Sequence, residues 1–439
     1  MKNFALTIIA TMGLLLFLVS PGYSNPNAAA LTLDEVLHHA AQTNPAILAA
    51  RQELMEVEEL YPQARAGWLP SLSAEASIYA TDIESSNFSQ GDGATTKDYT
   101  LLLDQPIFRG GRTFADTARA KYLIQAGEAT LQQSEQSLYL RTVNAYMNLL
   151  RDAEIYSLRK SNQESLQKEL NATQERYDLG DTTITDVHQA RQRYQRAQSE
   201  TVRAIGAYEG AQAVFEEETG LLPNALMRPV RNFAFPASLD GLIAMGEENN
   251  PSIWIAKYSQ LASEEEVNSI FRELFPQISA FASYNKQYDP QPGIVPETET
   301  ETIGLRATLA LYQGGATRSR VRESKHAAKR LEYEIKDITR NIRQEVRSDW
   351  HDYLAARQEL DSRRAEIESA SLALEGVREE ARLGQRTTLD ILDAERELTE
   401  AKILLAQAMR NEIVAQYTLA SRIGLLGRDM GGDKMAASQ

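Results

Sequence analysis

The chain repeats itself, and this limits its fold more than any other feature. Leu33-Asp34 followed by Asn44-Pro45-Ala46-Ile47 recurs 206 positions later as Leu239-Asp240 and Asn250-Pro251-Ser252-Ile253. Pro70-Ser71-Leu72-Ser73-Ala74 matches Pro276-Gln277-Ile278-Ser279-Ala280 at the same shift. The shift then becomes 204. Phe108-Arg109-Gly110-Gly111 matches Tyr312-Gln313-Gly314-Gly315, and Leu179-Gly180 with Thr183 and Asp186 matches Leu383-Gly384 with Thr387 and Asp390. A fixed order of features with one small length change marks two copies of one structural unit. The expected organisation is a leader over residues 1–24, a first unit over 25–222, a proline-bearing connection over 223–238, a second unit over 239–426 and a flexible tail over 427–439.

The leader has a lysine at position 2, an apolar run from Phe4 to Val19 and small residues at Gly22 and Ser24. This is the pattern of an export signal, cleaved after Ser24 or alternatively near Ala30. A single membrane anchor is the other reading, but it requires about 20 apolar residues. No later segment has 18 apolar residues in succession. Cysteine is absent, which excludes disulfides, thiol catalysis and Cys-ligated metals. A net charge of −15 argues against nucleic acid as a partner.

Within each unit the apolar period changes twice. Leu33 to Thr43 reads as a short helix, and Asn44-Pro45 opens a second that runs to about Gly67. Leu72, Ala74, Ala76, Ile78 and Ala80 then alternate with mostly polar residues, the period of a strand. Asp82 to Asp98 is read as a polar loop, and Tyr99 to Phe108 as the returning strand. The second unit repeats the pair at about Gln277–Tyr288 and Thr302–Tyr312, so the hairpins are expected at about 71–108 and 277–312. A long helical tract follows each pair. Ile335, Ile338, Ile342, Val346, Trp350 and Tyr353 recur every three or four residues, and no proline interrupts residues 107–222 or any residue after Pro296. From about Arg318 to Gly384 such a helix would be roughly 100 Å long. Gly180 and Gly384 end the long helices as C-terminal glycines do. Thr183 with Asp186, and Thr387 with Asp390, read as capping boxes that open return helices.

Four amphipathic strands cannot close a barrel, and an open sheet edge is not tolerated in lipid. Three chains would supply twelve strands, within the range of closed membrane barrels. The alternative is a pore-free periplasmic coiled-coil protein with a structural or interaction role. An enzyme is not expected. The histidines at 38, 39, 188, 326 and 351 form no His-Glu-x-x-His pattern, and no nucleophile elbow or phosphate loop is present. No cofactor or metal is implied.

These features together resemble the TolC family of outer-membrane efflux and secretion channels. The residues that carry the resemblance are Leu33-Asp34 with Asn44-Pro45, Trp68-Leu69-Pro70-Ser71-Leu72, and Gln105-Pro106-Ile107-Phe108-Arg109-Gly110-Gly111. To these are added the tips, Arg176 to Val187 and Ala381 to Ala394. The resemblance implies a mainly α fold with β: a homotrimer with a 12-stranded transmembrane barrel and a long periplasmic α-helical barrel. It implies outer-membrane lipid around the barrel and work with a periplasmic adaptor and an inner-membrane transporter, in efflux of small molecules or type I secretion. Gly180 and Gly384 fall at the tips where adaptors meet the channel. Asp390 and Asp393 match the acidic residues that line the periplasmic constriction. Three residues apart, they lie on one helix face, and three copies would bring six carboxylates to one aperture. The plainer reading of Asp390 is a capping residue alone. Arg386 matches a basic residue that ties tips together, with Thr185 and Asp186 as its acceptors. Ala381 stands where the family has a tyrosine latch.

Overall fold

The computed structural model describes residues 30–85, 88–223, 225–229, 233–291 and 295–426. The leader and the tail lie outside the described residues. Helix α1 (Leu33–Thr43) opens with a capping box between Thr32 and Glu35, and α2 (Pro45–Glu58) begins at the Asn44 cap with proline in its first turn. Helix α3 (Leu60–Arg65) and a short 3-10 turn lead into strands β1 (Ser71–Ser85) and β2 (Phe88–Arg109). Then come α4 (Arg112–Asp178, 67 residues) and α5 (Ile184–Thr219). The same order returns as α6 (Leu239–Asn249), α7 (Pro251–Phe271), β3 (Gln277–Gln291), β4 (Val295–Thr308), α8 (Ala316–Arg382, 67 residues) and α9 (Thr388–Arg422).

Several of the expected boundaries are corrected: β3 runs to Gln291 and not to Tyr288, and β4 starts at Val295 and not at Thr302, because the two pair with each other beyond the apolar rows. Most of the expected loop over Asp82–Asp98 is strand: β1 continues to Ser85 and β2 starts at Phe88. Pairing with the neighbouring strand extends this polar segment despite its glycines, with a register irregularity between Thr81 and Ile83. The fourth strand ends at Thr308, short of Tyr312, because its partner β3 begins at Gln277, the residue opposite Thr308. Pro276, just before it, has no N–H to offer a further rung.

The strands form one antiparallel sheet in the order β1-β2-β3-β4, which leaves β1 and β4 as open edges. The register assigns its two faces different chemistry. Leu72, Leu103, Ala282 and Ile303 lie in one cross-strand row. The next row on that face is Ala74, Leu101, Tyr284 and Glu301, and then Ala76, Tyr99, Lys286 and Glu299. Moving away from the helices, this face passes from aliphatic to tyrosine to charge. Ile303 is 88% exposed and Leu305 72%, so the aliphatic band has no cover within the chain. The opposite face is polar. There Asp98 accepts from Asn285 Nδ2 at 2.7 Å and Gln287 Nε2 at 2.6 Å, and Asn285 also donates to Thr100 at 2.8 Å.

The helices continue from the sheet as a rod about 100 Å long. Near the sheet α4 packs on α2 and α7, and α7 on α8. Farther away α4 packs on α5 and α9, and α8 on α9. The buried side chains concentrate between these two regions. One cluster joins Leu33, Val36, Leu37, Val143, Tyr146, Phe215 and Tyr417, and a second joins Leu242, Ile253, Ile342, Val346, Leu419 and Ile423. Here the connecting segment returns to the beginning of the first unit. Leu31 exchanges backbone hydrogen bonds with Ala225 and Met227, and the Tyr146 hydroxyl shares its one proton between the carbonyls of Leu31 and Met227. The caps also act across elements: Asn44 donates to Glu218 O and Asn250 to Arg422 O, tying the end of each return helix to the beginning of its unit.

Candidate functional site

No described helix is long and apolar enough to cross a membrane, and no group of three or more potential metal-ligating side chains exists among the described residues. His38 bonds Gln42 one turn away, and the neighbouring ring of His39 is part of the same short helix. Interest therefore centres on the end of the rod opposite the sheet.

Both tips are built alike. Helix α4 ends at Asp178, and Gly180 turns the chain with φ +84°; α8 ends at Arg382, and Gly384 turns it with φ +75°. Such angles favour glycine because a Cβ meets the backbone of its own residue. Crowding from elsewhere plays no part, since a Cβ at either glycine would have nothing within 4 Å. The amides that follow the helix satisfy its last carbonyls: Asp181 N bonds Arg176 O at 2.8 Å and Gln385 N bonds Glu380 O at 2.9 Å. Leu179 and Leu383, beside the glycines, are 79% and 75% exposed, so each tip presents bare aliphatic surface. The sequence reading did not single out these two leucines, although their duplication was visible.

Both capping boxes form. Thr183 Oγ1 caps Asp186 N, and the Asp186 carboxylate accepts from Thr183 N at 3.0 Å and from the hydroxyls of Thr182 and Thr183 at 2.7 Å each. The Thr182 hydroxyl, and then Thr183, hold the Asp186 carboxyl below its ordinary range. In the second tip Asp390 accepts from Thr387 N at 2.9 Å and from Thr387 Oγ1 at 2.8 Å, and these bonds likewise lower its pKa. Asp390 is thus a capping residue here, whatever else it does.

The other candidates are placed less simply. Arg386 Nε donates to Glu380 Oε2 at 2.8 Å within its own tip, and this contact holds the guanidinium more firmly protonated. Within one chain Arg386 is not brought to Asp186 or to Thr185, which is exposed on the first turn of α5. Asp393 is half-exposed and ion-paired: its Oδ1 lies 3.1 Å from Arg193 on α5 and 3.8 Å from Arg396 one turn on. A second link between the hairpins runs from Arg176 to Thr388 Oγ1, and a third from Arg159 to Glu400 at 3.1 Å. Arg193, Arg159 and Glu380 were not found by sequence reasoning, and Arg176 entered it only as the first residue of a tip segment. A signal did exist for one pair, because Arg176 and Glu380 occupy equivalent places in the repeat with opposite charge.

Against known proteins, residues 36–219 and 242–425 match the family described as outer membrane efflux protein, one match per repeat. The chain is 28% identical over 410 residues to the outer membrane efflux protein BepC of Brucella suis, covering 92% of this chain and 88% of BepC. It is 26% identical over 422 residues to the outer membrane protein TolC of Escherichia coli, covering 92% and 84% of the two chains. The crystal structure of the CmeC outer membrane channel of Campylobacter jejuni shares the fold, with a TM-score of 0.79 at 16% identity over 91% of this chain and 87% of that one.

Proposed function

The chain belongs to the outer membrane efflux protein family, and on that premise we propose that three copies form one continuous conduit through the outer membrane and across the periplasm. The observation that carries this reading is the sheet. It is aliphatic and bare on one face, polar on the other, open at both edges, and continuous with two 67-residue helices. Lipid is the medium that favours the first face, and water filling a lumen favours the second. Pairing of β4 of one copy with β1 of the next satisfies the open edges and makes twelve strands. A pore-free spacer leaves the aliphatic band without a partner.

At the far end the exposed Leu179-Gly180 and Leu383-Gly384 tips fit a periplasmic adaptor, which would couple the conduit to an inner-membrane transporter. Small-molecule efflux is the activity proposed, with type I secretion using the same parts. Asp390 and Asp393 are assigned to the aperture, where carboxylates favour cations. Arg386 is assigned to a latch with Thr185 and Asp186 of a neighbouring tip, in exchange for its contact with Glu380. Native mass measurement in detergent, combined with single-channel recording in planar bilayers, tests the whole. Trimers that conduct ions support it, whereas a stable, non-conducting monomer refutes it.

A further inference from the structure

The two carboxylates assigned to the aperture are not equivalent. Asp390 is held by neutral donors, the N–H and hydroxyl of Thr387, and Arg386 reaches it only as a weaker, non-bonded attraction, because that guanidinium bonds another acid: Glu380 within the chain, or Asp186 of a neighbouring tip in the proposed latch. Its negative charge is therefore left largely uncancelled. Asp393 is 3.1 Å from Arg193, whose side chain is 26% exposed, and 3.8 Å from Arg396 of its own helix, which is 62% exposed and so more strongly screened by solvent. Arg193 belongs to the other repeat. It lines a cavity of about 250 Å³ between α4, α5 and α9, in which α9 rests against the first hairpin. Seven residues up α9, Glu400 meets Arg159, which also holds Glu200 of α5 at 3.0 Å. Two arginines of the first repeat thus receive two acids on one face of α9.

We propose that Arg193 is a specificity-determining residue of the aperture. It cancels the field of Asp393 while α9 lies against α5, so that only Asp390 of each chain sets the resting cation preference. Movement of the second hairpin away from the first breaks the pair and leaves Asp393 only the exposed, solvent-screened Arg396 of its own helix, so that most of its field is unmasked. The number of effective carboxylates in the ring then rises from three to six as the aperture widens. Selectivity is in this way coupled to opening by a contact within each chain. The inference rests on the assignment of Asp390 and Asp393 to the aperture.

The test is reversal potential under a salt gradient, and block by La³⁺, in planar bilayers holding the full-length trimer. Arg193→Gln should increase cation preference and lower the La³⁺ concentration for half-block about tenfold. That is the effect of three unmasked unit charges about 10 Å from a trivalent ion, screened over about one Debye length. Arg193→Lys, which keeps the charge, should stay near wild type. Adding Asp393→Asn to Arg193→Gln should abolish the gain. If Arg193→Gln changes conductance but not selectivity, while Asp390→Asn/Asp393→Asn lowers selectivity, Arg193 is only a strut and the inference is overturned with the aperture assignment intact. If the double carboxylate variant leaves selectivity and block unchanged, the aperture assignment fails and the inference falls with it.

Discussion

Replacing Leu305 by arginine tests whether the sheet face bearing it is turned to lipid. Leu305 is 72% exposed and stands opposite Ala280, in the row next to Ile303 and Ala282. Charge begins on the same face at Glu301, four residues along the strand. Four residues at about 3.3 Å and a tilt of about 40° place Leu305 roughly 10 Å inside that charged row. The apolar band of such barrels is about 25 Å tall, so Leu305 falls near the bilayer midplane, where an arginine costs about 2–4 kcal/mol. A trimer carries three copies, and the summed penalty is about 9 kcal/mol, comparable with the whole stability of an ordinary domain. Leu305→Arg should therefore abolish heat-resistant trimers in outer-membrane fractions separated by gel electrophoresis. Thr302→Arg, on the polar face, should assemble normally. Equal amounts of heat-resistant trimer from Leu305→Arg and Thr302→Arg would refute the assignment of faces.

Other perturbations have narrower outcomes. Gly384→Trp and Gly180→Trp strain the turn, because φ is positive at both, but nothing lies within 4 Å of the added Cβ and the strain stays at the tip; trimer yield and membrane insertion should be unchanged while adaptor cross-linking and drug resistance weaken. Unaltered cross-linking in both variants would remove the tips from the docking surface. Tyr146→Phe should destabilise the chain by about 0.5–1.5 kcal/mol, since a part-buried hydroxyl bond to the Leu31 and Met227 carbonyls is lost while Leu31 O keeps the Met227 N–H; denaturant melting of the detergent-solubilised protein measures this, and an unchanged midpoint would mean that water replaces the hydroxyl. Burial pushes the Tyr146 phenol up to about 12. Between pH 10 and 12 the folded chain thus holds a proton that the unfolded chain releases, and stability should fall over that window. The Asp390 carboxyl is held below its ordinary 3.8, so the stability that its charged capping bond contributes is present above that value and is lost as pH falls through the lowered one. Cation preference carried by Asp390 should accordingly persist from pH 7 to pH 4, and reversal potentials that collapse by pH 5 would contradict it.

The sequence by itself determined whatever depends on neighbours along the chain. The duplication, the proline-free tracts that become 67-residue helices, the glycines at 180 and 384, and both capping boxes are local patterns, and the structure contains each of them. Period-two alternation located the first strand and the repeat placed its counterparts, and Ile303, Leu305 and Ala307 alternate with mostly polar residues in the same way, although only the structure shows that face to be exposed. What failed was strand length. The segment 82–98 has the composition of a loop, and only pairing along β1 makes most of it strand; the apolar period runs on to Leu311, but β3 supplies no residue to pair beyond Gln277. At the tips, sequence spacing placed Asp390 and Asp393 on one helix face and treated them as a pair. Only the tertiary structure separated them, by giving one to the Thr387 cap and the other to Arg193, a residue of the opposite repeat. A cap is a bond between residues three apart and is written in their order. An ion pair across 200 positions is decided by how two hairpins settle against each other, and no local pattern encodes that.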